Sequence, residues 1–154
     1  MRWSAQGIGS ACAIAVYIVD QASKATTIAF FSGSHESVEV LPIFNVVLTR
    51  NRGVSFGLFS GLPWWTLAFL GLTAVTLLSV WLWRTRTKLS GAAIGLIIGG
   101  ALGNIADRIR WGAVTDFLDF HVGQYHWPAF NFADVAIVFG VVLLLLRRPE
   151  PRMS

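Results

Sequence analysis

The chain has 154 residues, of which 55% are hydrophobic and 13% are charged, and its mean hydropathy is +0.62. Soluble domains carry roughly a quarter charged residues, so this composition excludes an ordinary water-soluble globule, and it equally excludes a disordered chain. The formal charge of +4 comes from 12 Lys and Arg against 8 Asp and Glu. On so apolar a chain this excess indicates basic residues beside anionic lipid headgroups rather than a nucleic-acid partner. The single cysteine, Cys12, excludes an internal disulfide.

Four apolar segments predict an all-α membrane protein with four transmembrane helices, since a helical span needs about 20 mostly apolar residues. We place these helices at approximately 8–30, 63–83, 89–106 and 128–146, in a single integral membrane domain over residues 1–154. The first helix contains Asp20 and Lys24, which are four residues apart and therefore predict an ion pair on one helical face. Its apolar run also resembles a cleaved signal peptide, but no A-x-A site follows, so we expect it to be retained.

Basic residues predict the orientation, because they concentrate in short cytoplasmic loops. Seven of the 12 lie at the amino terminus, between the second and third helices, or after the fourth: Arg2, Arg84, Arg86, Lys88, Arg147, Arg148 and Arg152. Both termini are therefore expected in the cytoplasm, and the connections at approximately 32–62 and 107–126 outside. Residues 37–40 alternate polar and apolar, and residues 44–49 are rich in β-branched side chains. This pattern predicts a small extracytoplasmic β-sheet element in the first outer loop.

The third predicted helix combines close packing with polar residues at its outer end. Glycine recurs at every fourth position, at Gly91, Gly95, Gly99 and Gly103, a spacing that lets another helix approach closely. The same row continues to Asp107, and the adjacent row contains Asn104 and Arg108. Packing explains the glycines but not these polar residues, which are costly in a membrane and therefore candidates for function.

The fourth predicted helix opens with Asn131 and Asp134, three residues apart, which we place on one helical face. Before it, apolar residues flank both acids in Val114-Thr115-Asp116-Phe117-Leu118-Asp119-Phe120. This segment is expected to dip into the membrane interface and hold a carboxylate in low-dielectric surroundings.

The residue types favour carboxylate chemistry. The sequence has no HExxH motif and no Cys/His cluster, and its three histidines are scattered, so we expect neither a metal nor a cofactor. No serine is marked as a nucleophile. Two close aspartates share one proton, so that one activates a water while the other polarises a carbonyl group. Asp134 is one partner by position, and Asp107, Asp116 and Asp119 remain alternatives for the other.

Two other classes of function, a small transporter and a purely structural protein, fit these residues less well. A small transporter would distribute its polar groups through the membrane depth, whereas here they gather at one face. A purely structural role, with the glycine stripe as a dimerisation face, leaves the flanked aspartates without a purpose.

At these residues the sequence resembles the bacterial lipoprotein signal peptidases (signal peptidase II). The resemblance covers almost the whole chain in five ordered blocks: Val19-Asp20-Gln21-x-x-Lys24, Asn51-Arg52-Gly53-Val54-Ser55-Phe56-Gly57, Gly99-Gly100-Ala101-x-Gly103-Asn104-x-x-Asp107-Arg108, Val114-x-Asp116-Phe117-Leu118-Asp119-Phe120 and Phe130-Asn131-x-Ala133-Asp134. One departure is Val54-Ser55, where the family usually has two alanines.

The resemblance implies an aspartic endopeptidase of the bacterial cytoplasmic membrane. It would cleave diacylglyceryl-prolipoprotein just before the lipidated cysteine, at the extracytoplasmic face, in contact with membrane lipid and sensitive to globomycin. It implies that Asp116 and Asp134 are catalytic. The implied supporting positions are Asp20, Lys24, Asn51, Gly53, Asn104, Asp107, Arg108, Asn131 and Ala133. The amides of the three asparagines are expected to bind the substrate backbone, and Asp107 to pair with the adjacent turn or with Arg108.

Overall fold

The computed structural model describes residues 3–33, 37–53 and 61–146. Four α-helices occupy most of this chain: α1 (Ala5–Phe30), α2 (Trp64–Arg84), α3 (Lys88–Trp111) and α4 (Phe132–Leu146). A single 3₁₀ turn, Phe31–Gly33, follows α1. Four strands complete the fold: β1 (Ser37–Leu41), β2 (Phe44–Asn51), β3 (Val114–Val122) and β4 (Tyr125–His126). Four helices therefore lie where the apolar segments predicted them. Val54 and Ser55, where the sequence departs from the family pattern, lie outside the described residues.

Helix α3 ends later than predicted, at Trp111 rather than near residue 106. Thr87 caps its start, since the Thr87 side chain accepts a hydrogen bond from the Ser90 amide. At its other end Gly112 adopts a left-handed conformation with φ 68° and donates to the Arg108 carbonyl, a C-cap that glycine favours. The extra turns carry Asp107 and Arg108 on a helix rather than in a loop.

The glycine stripe brings α1 and α3 into backbone contact. A Cβ atom at Gly91 would meet the Ala5 backbone, and one at Gly95 would meet the Gly9 carbonyl. The contacted residue on α1 changes from Ala5 to Gly9 as the glycine on α3 changes from Gly91 to Gly95, so the two helices run parallel. Their contact depends on residues without side chains, as small-residue membrane packing does.

Helix α4 packs against another side of α3 in the opposite direction. A Cβ atom at Gly100 would lie 2.5 Å from the Ala133 carbonyl, and one at Gly140 would lie 2.6 Å from the Ala93 carbonyl. Helix α2 covers a third side through an apolar cluster formed by Val75, Leu82, Ile94, Ile98 and Ile105. The α3 helix therefore forms the centre of the bundle.

The strands form one antiparallel sheet in the order β1-β2-β3-β4. The prediction confined this sheet to the first outer loop, but half of its strands come from the segment after α3. The β2–β3 register pairs Thr49 with Asp116 and Asn51 with Val114. Asp116, in the connection between α3 and α4, is therefore held by backbone pairing beside the end of β2, in the connection between α1 and α2.

The outer surfaces of the helices are apolar. Helices α2 and α3 are each long and apolar enough to cross a membrane, and α4 is a shorter apolar helix of 15 residues. On α2, Phe69 and Leu77 each expose 66% of their surface. Large side chains of this kind on a continuous outer face are typical of contact with lipid.

Candidate active site

The structure brings most of the predicted site residues together where the helices meet the sheet. Those in direct hydrogen-bond or ion-pair contact with one another are Asp20, Lys24, Asn51, Gly53, Asn104, Asp107, Arg108, Asp116, Asn131, Ala133 and Asp134. Asp119 lies elsewhere. Its carboxylate accepts hydrogen bonds from Asn45 and His126 at 3.0 and 2.9 Å.

Lys24 is the buried cation of this cluster, with 2% of its side chain exposed. Its ammonium lies 2.9 Å from Asp20 Oδ2, as the four-residue spacing predicted, and 3.3 Å from Asp107 Oδ2. It also donates to Asn104 Oδ1 at 3.0 Å. One ammonium thus faces two carboxylates and an amide, a degree of pairing that buried charges require.

Contact with Lys24 orients the Asn104 amide. An ammonium has donors only, so the Asn104 oxygen must face Lys24 and its NH₂ group must face the other way. That NH₂ group donates to Asp134 Oδ1 at 2.9 Å. The positive charge on α1 therefore determines which group of Asn104 meets the carboxylate on α4.

Asn131 is the residue immediately before α4, rather than a position on its face as predicted. Its Oδ1 accepts from the Asp134 backbone amide at 3.0 Å, while Asp134 Oδ2 accepts from the Asn131 backbone amide at 3.2 Å. This reciprocal pair is a capping box. Because a capping side chain folds back across the helix end, its NH₂ group reaches β3 and donates to Asp116 Oδ1 at 2.7 Å.

Asp116 accepts a second hydrogen bond, from Asn51 Nδ2 to its Oδ2 at 3.1 Å. The Asn51 oxygen in turn accepts from the Gly53 amide at 2.9 Å, which fixes the orientation of that side chain. Burial raises the pKa of Asp116 to about 6, and the negative charge of Asp134 adds to this effect, whereas the donors Asn51 and Asn131 oppose it. Asp116 therefore holds a proton more readily than an ordinary carboxyl group.

The three asparagine amides are all directed at these two carboxylates. The Asn51 side chain donates to Asp116 and the Asn104 side chain donates to Asp134. Asn131 donates to Asp116 through its side chain and to Asp134 through its backbone amide. These contacts orient the two carboxyl groups, and the expectation that the same amides also bind the substrate backbone stays a prediction. Asp116 and Asp134 share Asn131 as a common donor.

The surrounding residues connect this pair to the rest of the fold. Asp107 Oδ2 accepts from the Thr115 amide at 2.8 Å and also faces Lys24, so this oxygen joins the start of β3 to α1. Arg108 instead donates to the carbonyls of Gly53 and Asn104, at 2.8 and 3.3 Å. These contacts tie α3 to both strands that flank the carboxylates.

The remaining contacts join α1 to α4. The Ala133 amide, in the first turn of α4, donates to Asp20 Oδ1 at 3.1 Å.

Gln21 was not predicted as a site residue, although it stands beside Asp20 in the same block. Its side chain donates to Asp20 Oδ2 and Asp107 Oδ1, at 3.1 and 3.3 Å. The signal was its position, which places it next to the buried ion pair.

The chemistry available here is acid–base chemistry by two carboxyl groups that interact electrostatically. Within residues 3–33, 37–53 and 61–146, no group of three or more His, Cys, Asp or Glu residues is arranged to hold a metal ion. Two carboxyl groups in one buried network titrate together, and the pair retains a proton at a pH where isolated carboxyl groups are ionised. Such a pair is suited to activating a water molecule against an amide.

Comparisons with known proteins agree with this chemistry. The family model described as signal peptidase (SPase) II matches residues 12–148. The chain is 46% identical over 143 residues to the lipoprotein signal peptidase of Beijerinckia indica subsp. indica, covering 90% of this chain and 86% of that protein. It is 45% identical over 156 residues to the lipoprotein signal peptidase of Nitrobacter hamburgensis, covering 94% and 95%.

Solved structures give the same result for the fold. One described as a bacterial membrane enzyme superimposes with a TM-score of 0.79 at 28% identity, over 96% of this chain and 95% of the other. A second structure of that description gives a TM-score of 0.76 at 30% identity, over 93% and 95%.

Proposed function

This chain belongs to the signal peptidase II family, aspartic peptidases that remove the signal peptide from prolipoproteins, and we propose that Asp116 and Asp134 are its catalytic pair. The observation that carries this proposal is the shared donor Asn131, which contacts both carboxyl groups. We do not assign Asp107 or Asp119 to this pair, since Asp107 pairs with Lys24 and the Thr115 amide and Asp119 pairs with Asn45 and His126.

The proposed reaction uses one proton held between two carboxyl groups. Burial and the negative charge of Asp134 raise the pKa of Asp116 to about 6, so we assign the proton to Asp116 and the ionised form to Asp134. Asp134 then removes a proton from water as the water oxygen attacks the scissile carbonyl carbon. Asp116 donates its proton to the carbonyl oxygen. As the tetrahedral intermediate collapses, the C–N bond breaks and the proton held by Asp134 passes to the departing nitrogen. One hydroxyl group of the intermediate returns its proton to Asp116 as the C=O bond re-forms, which restores the starting state.

The proposed substrate is a prolipoprotein with a diacylglyceryl-modified cysteine, cleaved just before that cysteine. Its signal peptide would lie along the helices, with the acyl chains in lipid and the scissile bond at the edge where Asp116 and Asp134 meet. The exposed apolar side chains of α2 and α4 support this placement, since they provide a surface compatible with both a helix and lipid. Membrane lipid is thus part of the proposed working environment.

The proposed location is the bacterial cytoplasmic membrane, crossed four times, with both termini in the cytoplasm. Helices α1 and α3 run parallel, and α4 runs opposite to them, so the start of α1 lies at the end remote from the sheet. Arg84, Arg86 and Lys88 stand at that same end, and basic residues favour the cytoplasmic side. The sheet and the two aspartates would then face outward.

Conservative substitutions test the catalytic pair. Asp116→Asn and Asp134→Asn should each reduce cleavage of a purified diacylated preprolipoprotein by at least about 10³-fold, because a carboxamide cannot exchange the shared proton. Asp119→Asn is the matched control, since it removes a carboxyl group from the same strand as Asp116. It should retain activity. Substantial turnover by either Asn variant at position 116 or 134, with a normal melting temperature, would refute the assignment.

The substrate and the inhibitor are tested separately. The same peptide without its diacylglyceryl group should be cleaved poorly or not at all, with the product identified by its amino-terminal cysteine. Globomycin should block the reaction, whereas activity that persists at a saturating concentration would contradict the proposed substrate site.

A further inference from the structure

A groove with a volume of about 320 Å³ lies beside α1, at the end of the bundle opposite the carboxylates. It is lined by Trp3, Ile8, Ala11, Cys12 and Lys88. Small-molecule sites typically have volumes of about 300–1,000 Å³. Lys88 precedes Asn104 by 16 positions on α3, which places the groove about 24 Å along the helix from the catalytic pair. The groove therefore belongs to a different region from the site described above.

The lining of the groove is apolar along one wall and cationic at its end. Ile8, Ala11 and Cys12 follow one another along α1, while Lys88 is the first residue of α3. Trp3, a residue that is 62% exposed, adds an indole ring. Tryptophan side chains favour the boundary between hydrocarbon and headgroups. This sequence of surfaces matches an acyl chain that ends in a polar headgroup.

Several features concentrate positive charge at that end. Parallel α1 and α3 place two helix amino termini side by side, each with a partial positive charge. Neither helix has an acidic residue in its first turn. Lys88 adds a full charge at a position where the helix dipole disfavours a cation. The carboxyl end of α2 lies nearby, and its carbonyl groups carry partial negative charge. The Gln6 side chain donates hydrogen bonds to two of these carbonyls, those of Trp83 and Thr85, and so reduces their effect on the positive charge.

We propose that this groove binds an anionic phospholipid. One acyl chain lies against Ile8, Ala11 and Cys12, and the phosphate contacts Lys88 at the amino terminus of α3. A zwitterionic headgroup is disfavoured because it brings a second cation beside Lys88, whereas an anionic headgroup such as phosphatidylglycerol does not. The inference does not depend on the catalytic pair, since neither Asp116 nor Asp134 takes part.

The chain carries its own reporter for this site. Cys12 is its single cysteine and lines the groove, so a bound acyl chain should shield its thiol. The rate of Cys12 alkylation by N-ethylmaleimide is measured on the purified full chain in a neutral detergent. Phosphatidylglycerol at several times its dissociation constant should slow the reaction at least about fivefold. Phosphatidylcholine at the same concentration should slow it less than about twofold.

Two variants with the same change in charge separate a specific site from general attraction. Lys88→Gln should reduce protection by phosphatidylglycerol to the level of phosphatidylcholine. Arg86→Gln, from the same connection but outside the groove lining, should retain it. As a second measurement, phosphatidylglycerol should raise the melting temperature of the wild type and of Arg86→Gln but not of Lys88→Gln. Equal effects of the two lipids, or equal behaviour of the two variants in both measurements, would overturn the proposal.

Discussion

At the scale of single residues, the site depends on one buried cation. Lys24 contacts Asp20, Asp107 and Asn104, and through Asn104 it determines which atom faces Asp134. A lysine outside the proposed catalytic pair thus influences the orientation of one of its carboxylates. Its removal leaves two buried carboxylates without their counter-charge, and this is more costly than the loss of the pair itself.

Lys24→Met is therefore expected to destabilise the protein by about 3–5 kcal/mol. Lys88→Met, the same change at an exposed position, should alter stability by no more than about 0.5 kcal/mol. Melting temperatures of the purified variants provide the measurement. A double variant that also carries Asp20→Asn should recover part of the loss, because one unpaired charge is gone. A Lys24→Met protein as stable as the wild type would show that the carboxylates are accommodated in another way.

The environment of Asp116 predicts a dependence of stability on pH. Its pKa is raised from 3.8 to about 6 in the folded protein, so the folded state binds more protons than the unfolded state between these values. This stabilisation is present below about pH 4 and is lost as pH rises to about 6, amounting to about 3 kcal/mol. Asp116→Asn removes the titrating group. Its melting temperature relative to wild type should therefore become more favourable from pH 4 to pH 7, and a constant difference would contradict the assignment.

At the scale of elements, the bundle depends on backbone contact between α1 and α3. A Cβ atom at Gly95 would overlap the Gly9 carbonyl, whereas one at Gly33 would meet nothing within 4 Å. Because the overlapped atom belongs to a backbone, the helices must separate to accommodate a methyl group. The polar contacts between Asp20 on α1 and the start of α4 would be stretched by the same movement.

Gly95→Ala should consequently cost about 1–3 kcal/mol, as insertion into a packed interior does, and should also reduce cleavage activity. Gly33→Ala is the matched control and should leave both properties near the wild-type values. Thermal unfolding and the peptide cleavage assay measure the two effects. If both alanine variants behaved alike, close packing of α1 on α3 would not be a determinant of the site.

The sequence predicted the helices well because long apolar runs specify them with little help from the rest of the fold. It placed the end of α3 too early, because the uncharged run that marked this helix stops at Ala106, before Asp107, Arg108 and Arg110. The free-energy cost of burying Asp107 and Arg108 is offset by partners from elsewhere in the chain, Lys24 for Asp107 and the Gly53 carbonyl for Arg108. Strand β3 was missed for a related reason. Residues 114–117 are buried and Leu118 is half-buried. The alternation of buried and exposed residues that is typical of a strand with one face in water is therefore absent.

The site residues were identified more completely than their arrangement. Spacing alone did not choose between Asp107, Asp116 and Asp119, because that choice depends on the pairing of β2 with β3 and on the direction of the Asn131 side chain. Asn131 was misplaced on a helical face because a reciprocal cap and a helical i,i+3 pair have the same spacing. Gln21 was missed because a single amide carries no pattern of its own.

At the scale of the whole molecule, the antiparallel course of the helices separates two chemically different ends. The sheet and the carboxylates lie at one end, and the basic α2–α3 connection lies at the other. If the chain is oriented as proposed, a thiol at each end should differ in its accessibility from outside the cell.

In a Cys12→Ser background, Tyr125→Cys should be labelled by a membrane-impermeant maleimide in intact spheroplasts. Tyr125 is 87% exposed at the end of the sheet, so the reagent can reach this position directly. Arg86→Cys, in the α2–α3 connection, should be labelled only after lysis. The reverse pattern would place the carboxylates on the cytoplasmic side.

The bridging position of Asn131 has a consequence for how the enzyme is made. Asn131 and Asp134 leave the ribosome with α4, the fourth of the described helices, whereas Asp20, Lys24 and Asn51 are synthesised earlier. A nascent chain therefore contains Asp116 without its proposed partner, and the earlier charges are neutralised chiefly by one another. If Asp116 and Asp134 are the catalytic pair, proteolytic activity is therefore acquired only when α4 joins the bundle, and a chain that ends before α4 should be inactive.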